Sequence, residues 1–403
     1  MAGKQRDSAP AHSRPVWAEI SLRALTHNFR TIRDYVNPAG EKREAPRKVL
    51  SIVKGNGYGH GGPQMAKVLE KTGSDWFGVT CTEEGIAVRK AGVRKPVLVL
   101  TSFVAGEEQR LVEHNLTAVI HRCEQLEALN KAAGRNPEGK TVSFHLKIDT
   151  GMNRLGIAPE DVECFARRLA KCKHLRLGGV MTHFASSEVF NDSVAGRQTR
   201  EQEERFYTAL GKLRALGVDT GIVHLANSAA IASRPETWAD MVRPGAILYG
   251  YHPGYEPMER RVEMEKRMPL RPVMSLRSRI ISLREVAANS GVGYDSAFMA
   301  KRASRIGVLA AGYGDGLHRS LGNRGNVLVR GRLAPIVGIV SMDVTMIDVT
   351  DVPGAEAGDT ATIYGTDGEH VLPANFVARG IGTVTSDLLC AVSARVPRVY
   401  LSE

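Results

Sequence analysis

The chain of 403 residues is poor in cysteine, in aromatic residues and in long apolar runs. Its five cysteines are scattered and show no paired CxxC spacing, which argues against a disulfide framework, a zinc site or a redox motif. No apolar run approaches the length that a membrane-spanning helix needs. The N-terminal segment is polar and does not resemble a secretory signal. We therefore expect a disordered tail over residues 1–14, a cytoplasmic protein, no bound metal and no membrane partner.

The formal net charge of +11 raises the question of nucleic-acid binding, because clustered Lys and Arg neutralise phosphates. The densest basic segment lies between residues 260 and 279, and glutamates interrupt it. No recognisable nucleic-acid-binding motif or array of stacking aromatics accompanies this segment. The pattern favours a solvated basic surface, and we expect no nucleic-acid partner.

Residues 48–250 alternate short apolar segments with longer amphipathic ones, which is typical of repeated βα units. Eight such units close a (β/α)₈ TIM barrel. The predicted strands lie near Val49 to Val53, Trp76 to Thr80, Val97 to Leu100, Thr117 to Ile120, Val142 to Ile148, Leu177 to Thr182, Ile222 to Leu225, and Asp240 to Arg243.

After about residue 265 the pattern changes to strand-like runs separated by Gly, Asn and Asp turns. This change predicts a mainly β C-terminal domain, and the charged segment over residues 253–271, which carries Pro257 and Pro269, is the natural linker. The predicted fold is therefore α/β, with a (β/α)₈ barrel over residues 15–262 and a mainly β domain over residues 263–403.

A short, β-branched apolar run leads to Lys54, and glycines follow at positions 55, 57, 59 and 61. Burial lowers the pKa of a lysine towards the neutral amine that attacks carbonyl groups. The glycines would let the backbone approach a ligand closely, and Tyr58 and His60 add a hydroxyl and an imidazole to the same turn. Taken alone, the segment fits a solvated surface loop as well as a cofactor site.

Polar residues follow the other predicted barrel strands at their carboxyl ends, where barrel enzymes carry their function. They are Asp149, Arg154, His183, Asn227, Ser228, Arg243, Gly245 and Ala246. A serine hydroxyl, glycine-adjacent amides and a helix start suit a phosphate group. Each residue singly also has an ordinary explanation, such as a buried histidine, a strand-end salt bridge or a helix cap. Together they indicate pyridoxal 5′-phosphate.

Eight sequence blocks, in order between about Val16 and Tyr400, resemble the bacterial alanine racemases. The blocks are Val53 to Gly61, Lys147 to Gly156, Met181 to Ala185, Ala226 to Ser228, Val242 to Gly245, Gly291 to Tyr294, Gly312 to Gly316 and Ser341 to Asp343. The resemblance implies a pyridoxal-phosphate-dependent enzyme that interconverts L-alanine and D-alanine and supplies D-alanine for peptidoglycan. It also implies a homodimer with active sites shared between subunits.

The resemblance further implies a role for each matched residue. Lys54 carries the cofactor as an aldimine and acts as one base, and Tyr294 of the C-terminal domain reaches the partner subunit's cofactor as the second base. Two bases on opposite faces let one remove the α-proton while the other supplies a proton to the far side. The implied cofactor-binding residues are Lys54, Tyr58, His183, Asn227, Ser228, Arg243, Gly245 and Ala246. Those implied for the substrate carboxylate are Arg154 and the backbone of Met342.

The resemblance also suggests roles for three further positions. Tyr313 is expected to line the entrance, and Lys147 matches a lysine that is carbamylated in some members. Where the family usually reads Thr-Ile-x-Tyr-Glu, this chain has Ser386 in place of the tyrosine. In the family, that tyrosine lines the pocket for the substrate methyl group. The added room predicts weaker discrimination of alanine from serine.

Other functions are compatible with parts of this pattern. A broad-specificity or serine racemase of the same family is the nearest alternative. An amino-acid decarboxylase would share the two-domain plan, but the C-terminal domain lacks the Cys-Asp block of those enzymes. A pyridoxal-phosphate-binding protein without turnover would be a single barrel, and the long β domain argues against it.

Overall fold

The computed structural model describes residues 14–136 and 139–402. They form two compact units. The barrel unit comprises residues 25–57 and 61–271, and the β unit comprises residues 14–24, 58–60 and 272–402. Residues 1–13 of the predicted tail lie outside the described residues, whereas Arg14 is described. In the described part of the chain, no helix combines the length and apolar character needed to cross a membrane.

The strands, in chain order, are β1 (Val16–Ser21), β2 (Lys48–Ile52), β3 (Trp76–Val79), β4 (Val97–Val99), β5 (Thr117–Ile120), β6 (Val142–Lys147), β7 (Leu175–Met181), β8 (Ile222–His224), β9 (Met241–Val242), β10 (Met274–Val286), β11 (Gly291–Val292), β12 (Phe298–Met299), β13 (Ser304–Leu309), β14 (Asn326–Val329), β15 (Arg332–Val337), β16 (Thr345–Asp348), β17 (Thr360–Asp367), β18 (His370–Leu372) and β19 (Arg398–Leu401).

The helices are α1 (Leu22–Val36), α2 (Lys54–Tyr58), α3 (Gly62–Thr72), α4 (Thr82–Lys90), α5 (Glu108–Glu113), α6 (Cys123–Ala133), α7 (Val162–Leu169), α8 (Val194–Ala215), α9 (Ser228–Ser233), α10 (Met258–Arg267), α11 (Ala374–Gly380) and α12 (Thr385–Cys390).

The barrel unit contains an eight-stranded parallel sheet in the order β8-β7-β6-β5-β4-β3-β2-β9. Each strand coincides with a predicted one, because an apolar run buried on both faces is a strong local signal. Asp240 links the two ends of the sheet: its backbone N–H donates to Val223 O at 3.0 Å, and its Oδ2 accepts from Val223 N at 2.9 Å. The sheet is thus a nearly closed barrel, as the sequence predicted.

The β unit is built on a nine-stranded sheet in the order β18-β17-β14-β15-β16-β13-β10-β1-β19. The long strand β10 pairs with β1, β13 and β17, and it changes register twice along its length. A twisted sheet uses such bulges to bend one strand between several partners. The mainly β character of this part of the chain was also predicted.

The unit boundaries differ from the sequence-based domains. The sequence pattern predicted residues 15–24 as part of the barrel and residues 263–271 as part of the C-terminal domain. In the structure, residues 15–24 group with the β unit and residues 263–271 with the barrel unit. The reason is pairing over a long sequence separation: β1 lies antiparallel to β10 and parallel to β19. Residues 58–60, next to Lys54, also group with the β unit.

Candidate active site

Strand β2 ends at Ile52 and leads to Lys54, the first residue of a turn with left-handed backbone. Gly55, Asn56 and Gly57 have φ angles of 61°, 52° and 64° and ψ angles of 43°, 43° and 44°. Tyr58 continues the turn with a φ angle of 52°. We call residues 54–58 the lysine turn. A left-handed residue costs about 1–2 kcal/mol unless it is glycine or asparagine, so Tyr58 is held in a conformation that it does not favour, whereas Asn56 tolerates it.

Hydrogen bonds within the barrel unit hold the lysine turn. The Gly57 N–H donates to Val53 O at 2.7 Å. Asn56 accepts twice, from Gly61 N through its carbonyl and from Gly62 N through its side-chain Oδ1, both at 2.9 Å. A Cβ on Gly57 would lie 3.0 Å from the Gly62 Cα. Glycine at 57 is therefore required by its backbone conformation and also by its close neighbour.

Arg243 lies directly after β9, at the barrel face where the strands end, and only 3% of it is exposed. Its Nη1 donates to His224 O at 2.7 Å, and its Nη2 donates to Thr182 O at 2.7 Å and to Leu225 O at 2.8 Å. These carbonyls follow or end neighbouring strands, so the guanidinium fastens the loops after β7 and β8 to the loop after β9.

The hydrogen bonds of Arg243 also fix the protons of three histidines. A guanidinium donates only, so His224 Nδ1, 3.2 Å from Arg243 Nη1, is an acceptor and the proton of His224 lies on Nε2. That Nε2–H donates to His145 Nδ1 at 2.9 Å. Likewise, Arg243 Nη2 lies 3.3 Å from His183 Nδ1, so the proton of His183 lies on Nε2. His183 therefore turns an N–H donor away from the arginine.

Burial and the neighbouring cations keep these imidazoles neutral. Desolvation lowers the pKa of Arg243 to about 9, which still leaves the guanidinium charged at neutral pH. Desolvation, with Arg176 and Arg243 nearby, lowers the pKa of His145 to about 3. The pKa values of His183 and His224 are also lowered well below 6.5, first by burial and then by Arg243. The cluster thus carries the single positive charge of the arginine.

The predicted phosphate residues meet at the start of α9. The Gly245 N–H donates to Ser228 Oγ at 2.9 Å, which brings the ends of the loops after β8 and β9 together. Ala246 follows Gly245 and begins a short 3₁₀ helix. Asn227 has a different contact from the one expected: its Oδ1 caps α9 by accepting from Ala230 N at 3.1 Å, and it also accepts from Ser187 Oγ at 2.8 Å. A direct role of Asn227 in cofactor binding remains a prediction.

The loop after β6 carries Arg154, and the Asp149 carboxylate shapes this loop. It accepts from the backbone N–H groups of Gly151 at 3.1 Å, Asn153 at 3.0 Å and Arg154 at 2.9 Å. Lys147 at the end of β6 is 5% exposed. Burial, then the charges of Arg154 and other cations including Lys54, lower its pKa to about 8. The charges of Arg154 and Lys54 thus both act on the Lys147 amine.

The remaining predicted residues belong to the β unit. Tyr294 begins a short 3₁₀ turn after β11, and 66% of it is exposed. Met342 lies between β15 and β16 and is also exposed, as is Tyr313, whereas Ser386 is half-buried in α12. Burial raises the pKa of Tyr58 to about 12, so this tyrosine keeps its proton. The roles of these residues towards a cofactor or substrate stay predictions.

The fully buried carboxylate of Asp315 organises the loops that carry Tyr313 and Met342. Its Oδ2 accepts from Arg14 Nη2 at 2.8 Å and from Gly312 N at 2.9 Å, and its Oδ1 accepts from Arg395 Nε at 2.7 Å. The Gly314 N–H donates to Met342 O at 2.9 Å, and Arg395 Nη2 donates to the same carbonyl at 3.2 Å. Asp315 was not predicted as a functional residue, although it stands within the Gly312 to Gly316 block.

This fold defines a barrel protein with a second, mainly β unit, in which a lysine follows one barrel strand and a buried arginine follows another. Family models give a more specific assignment. The model of the alanine racemase N-terminal domain matches residues 20–253, and the model of the C-terminal domain matches residues 273–400. The chain is therefore an enzyme that belongs to the alanine racemase family.

Individual relatives match nearly the whole chain. Alanine racemase from Geobacter sulfurreducens is 40% identical over 394 residues, which cover 97% of this chain and 98% of that protein. The structure of alanine racemase from the D-cycloserine producer Streptomyces lavendulae matches with a TM-score of 0.87 at 30% identity, over 97% of this chain and 98% of the other. The biosynthetic alanine racemase structure from Pseudomonas aeruginosa matches with a TM-score of 0.81 at 34% identity, over 96% and 99%.

Proposed function

We propose that this chain interconverts L-alanine and D-alanine with pyridoxal 5′-phosphate bound through Lys54. The observation that carries the proposal is the meeting of a strand-end lysine and a buried arginine at one barrel face. The lysine charge acts on His183, which in turn contacts Arg243. The family membership and the names of the relatives support the same activity.

The residues of this face fit the cofactor. Among the described residues, the hydrogen bonds of Arg243 use only Nη1 and Nη2. Its Nε–H is thus available to an acceptor such as an aromatic ring nitrogen. Ser228 and the backbone around Gly245 supply a hydroxyl and amide groups of the kind that hold phosphate. Lys54 supplies the amine for covalent attachment.

When bound, the cofactor supplies an electron sink that acidifies the α C–H bond of the amino acid. Arg243 would donate a hydrogen bond to the ring nitrogen and, as it does not give up its proton at neutral pH, would leave that nitrogen unprotonated. A weaker sink favours return of the proton to the α-carbon over side reactions. Arg154, with the backbone of Met342, would hold the substrate carboxylate by charge and hydrogen bonds.

Two bases would act on opposite faces of the α-carbon. The Lys54 Nζ would remove or deliver the proton on one face, and the Tyr294 hydroxyl of a second subunit would do so on the other. Tyrosine has a reference pKa of about 10, so its phenolate needs a nearby positive charge or hydrogen-bond donor. The Nε2–H of His183, behind which Arg243 lies, is a donor of this kind.

Complementation between two inactive variants tests the shared site. Lys54→Ala and Tyr294→Phe should each abolish racemisation of L-alanine, followed by circular dichroism. After unfolding and refolding together, the mixed dimer has one intact site, and an equal mixture should recover about a quarter of wild-type activity. The matched control is Lys48→Ala, which changes an exposed lysine at the start of β2, the strand that leads to Lys54, and should stay active. Racemisation by Lys54→Ala alone would contradict the mechanism, and no recovery on mixing would contradict the shared site.

We also propose relaxed specificity towards serine, because Ser386 leaves room where the family usually has tyrosine. A pocket that merely fits a methyl group cannot strongly reject a small hydroxyl once space exists. Ser386→Tyr should lower kcat/KM for L-serine relative to L-alanine. Ser386→Ala keeps the space without the hydroxyl and should leave that ratio unchanged. An unchanged ratio in Ser386→Tyr would refute the idea and leave an ordinary alanine racemase.

The physiological role proposed here is the supply of D-alanine for peptidoglycan in the cytoplasm. A strain that lacks this enzyme should require D-alanine for growth, and the wild-type gene should relieve that requirement. Growth without D-alanine in such a strain would argue for a catabolic role.

A further inference from the structure

We propose that Glu84 is a positioning residue for Lys54, and that its carboxylate holds the lysine turn in its left-handed conformation. The inference rests on the proposed function only in taking Lys54 as the cofactor lysine. Glu84 lies in the first turn of α4 and is half-buried.

The carboxylate of Glu84 joins two loops at the mouth of the barrel. Its Oε1 accepts from Gly55 N at 2.7 Å, and the Asn56 N–H lies 3.4 Å from the same oxygen. Its Oε2 accepts from Thr80 N at 2.7 Å, directly after β3. One side chain thus connects the start of the lysine turn to the end of the neighbouring barrel strand.

The lysine turn needs such an acceptor for two reasons. The first N–H groups of any helical segment have no partner within the segment, and here they belong to Gly55 and Asn56. The left-handed conformation of Tyr58 is also costly, so it persists only where the surroundings over-determine it. A charged acceptor forms hydrogen bonds about twice as strong as a neutral one.

The bond at Gly55 controls the direction of Lys54 itself. The Gly55 N–H and the Lys54 C=O belong to one planar peptide group. Holding that plane against Glu84 therefore restrains the ψ angle of Lys54 and the φ angle of Gly55, and with them the direction in which the lysine side chain leaves the backbone. A misplacement of about 1 Å in a reacting group can cost about 100-fold in rate.

The adjacent residue provides a matched control. Glu83 is also a glutamate in the first turn of α4, but it is exposed and pairs with Arg110 at 2.7 Å. Successive helical residues point in different directions, so Glu84 accepts from Gly55 N whereas Glu83 accepts from Arg110. Substitution of Glu83 thus changes the helix charge and the local composition without touching the turn.

The test compares Glu84→Gln, Glu84→Ala and Glu83→Gln in the full-length protein. Hydrogen exchange of the peptide covering residues 54–61 is measured with and without added pyridoxal phosphate. The fraction of Lys54 trapped by borohydride reduction is measured by mass spectrometry, and kcat and KM are measured for L-alanine. Glutamine keeps one acceptor oxygen and nearly the same shape, so this variant tests the proposal even if the alanine variant fails to fold.

We expect hydrogen exchange at residues 54–61 to be fastest in Glu84→Ala, intermediate in Glu84→Gln and slowest in the wild type. The fraction of Lys54 trapped by borohydride should be smallest in Glu84→Ala and largest in the wild type. We also expect kcat to fall by roughly 10- to 100-fold in Glu84→Gln with little change in KM, because the substrate-binding groups are untouched. Glu83→Gln should match the wild type in every measurement. Wild-type exchange in both Glu84 variants, or an equal loss in Glu83→Gln, would overturn the proposal. If the wild type itself proved inactive on alanine, the exchange data would still decide the role of Glu84.

Discussion

Mild acid should destabilise the barrel unit through two histidines that it buries in neutral form. His145 and His224 are fully buried, and the bond between their rings requires His224 to donate and His145 to accept. The His145 Nε2 has no hydrogen-bond partner among the described residues, and the ring packs beside Trp76 with centroids 5.0 Å apart. A second proton on either ring would therefore place an uncompensated charge in the core next to Arg243.

The sign and size of the effect follow from proton linkage. The unfolded chain binds a proton on each histidine near the reference pKa of 6.5, whereas burial lowers the folded pKa of His145 to about 3 and that of His224 well below 6.5. The unfolded state therefore binds more protons, and stability falls as the pH drops below about 6.5. Between about pH 7.5 and 5.5, each histidine should cost about 1.4 kcal/mol, or about 3 kcal/mol for the pair.

The assay is urea unfolding at pH 7.5, 6.5 and 5.5, followed by tryptophan fluorescence and far-ultraviolet circular dichroism. His145→Asn can still accept from His224 but cannot titrate, so it should remove about half of the pH-dependent loss assigned to the pair. His370→Asn makes the same substitution at an exposed position and should leave the pH dependence unchanged. A loss in His145→Asn as large as in the wild type would refute the reasoning.

Three further outcomes are expected. Asp315→Asn should lower the free energy of unfolding in urea by about 2 kcal/mol, because an amide N–H₂ would face a guanidinium in a buried site. The control Asp351→Asn, at an exposed ion pair, should change the free energy of unfolding by less than about 0.5 kcal/mol. Asn227→Ala should cost about 1 kcal/mol through loss of the α9 cap, measured as a lower unfolding midpoint with an unchanged slope. Lys147, with its pKa lowered to about 8, should form a carbamate with ¹³C-labelled carbon dioxide, seen by NMR at pH 8, weaker at pH 6.5 and lost in Lys147→Arg.

Local patterns in the sequence predicted many residues of the candidate site, but not the backbone conformation and hydrogen bonds that position them. Lys54, His183 and Arg243 could be proposed from their positions after apolar strands, because parallel strands of a barrel end at one face. The left-handed lysine turn was not foreseen, since alternating glycines permit that conformation without requiring it. Glu84 was missed because its partners lie in other loops, and a glutamate in the first turn of a helix is ordinary.

The sequence by itself determined the eight barrel strands, the mainly β second part and the resemblance to alanine racemases, because each depends on short apolar segments or contiguous motifs. Only the tertiary structure decided that β1 belongs with β10 and β19, that Asp315 joins Arg14 to Arg395, and which histidine nitrogens carry protons. These features depend on contacts between residues far apart in the chain. Local periodicity predicts which segments become strands and helices, but the hydrogen-bond partners of a buried polar group are fixed only when the packed structure brings them together.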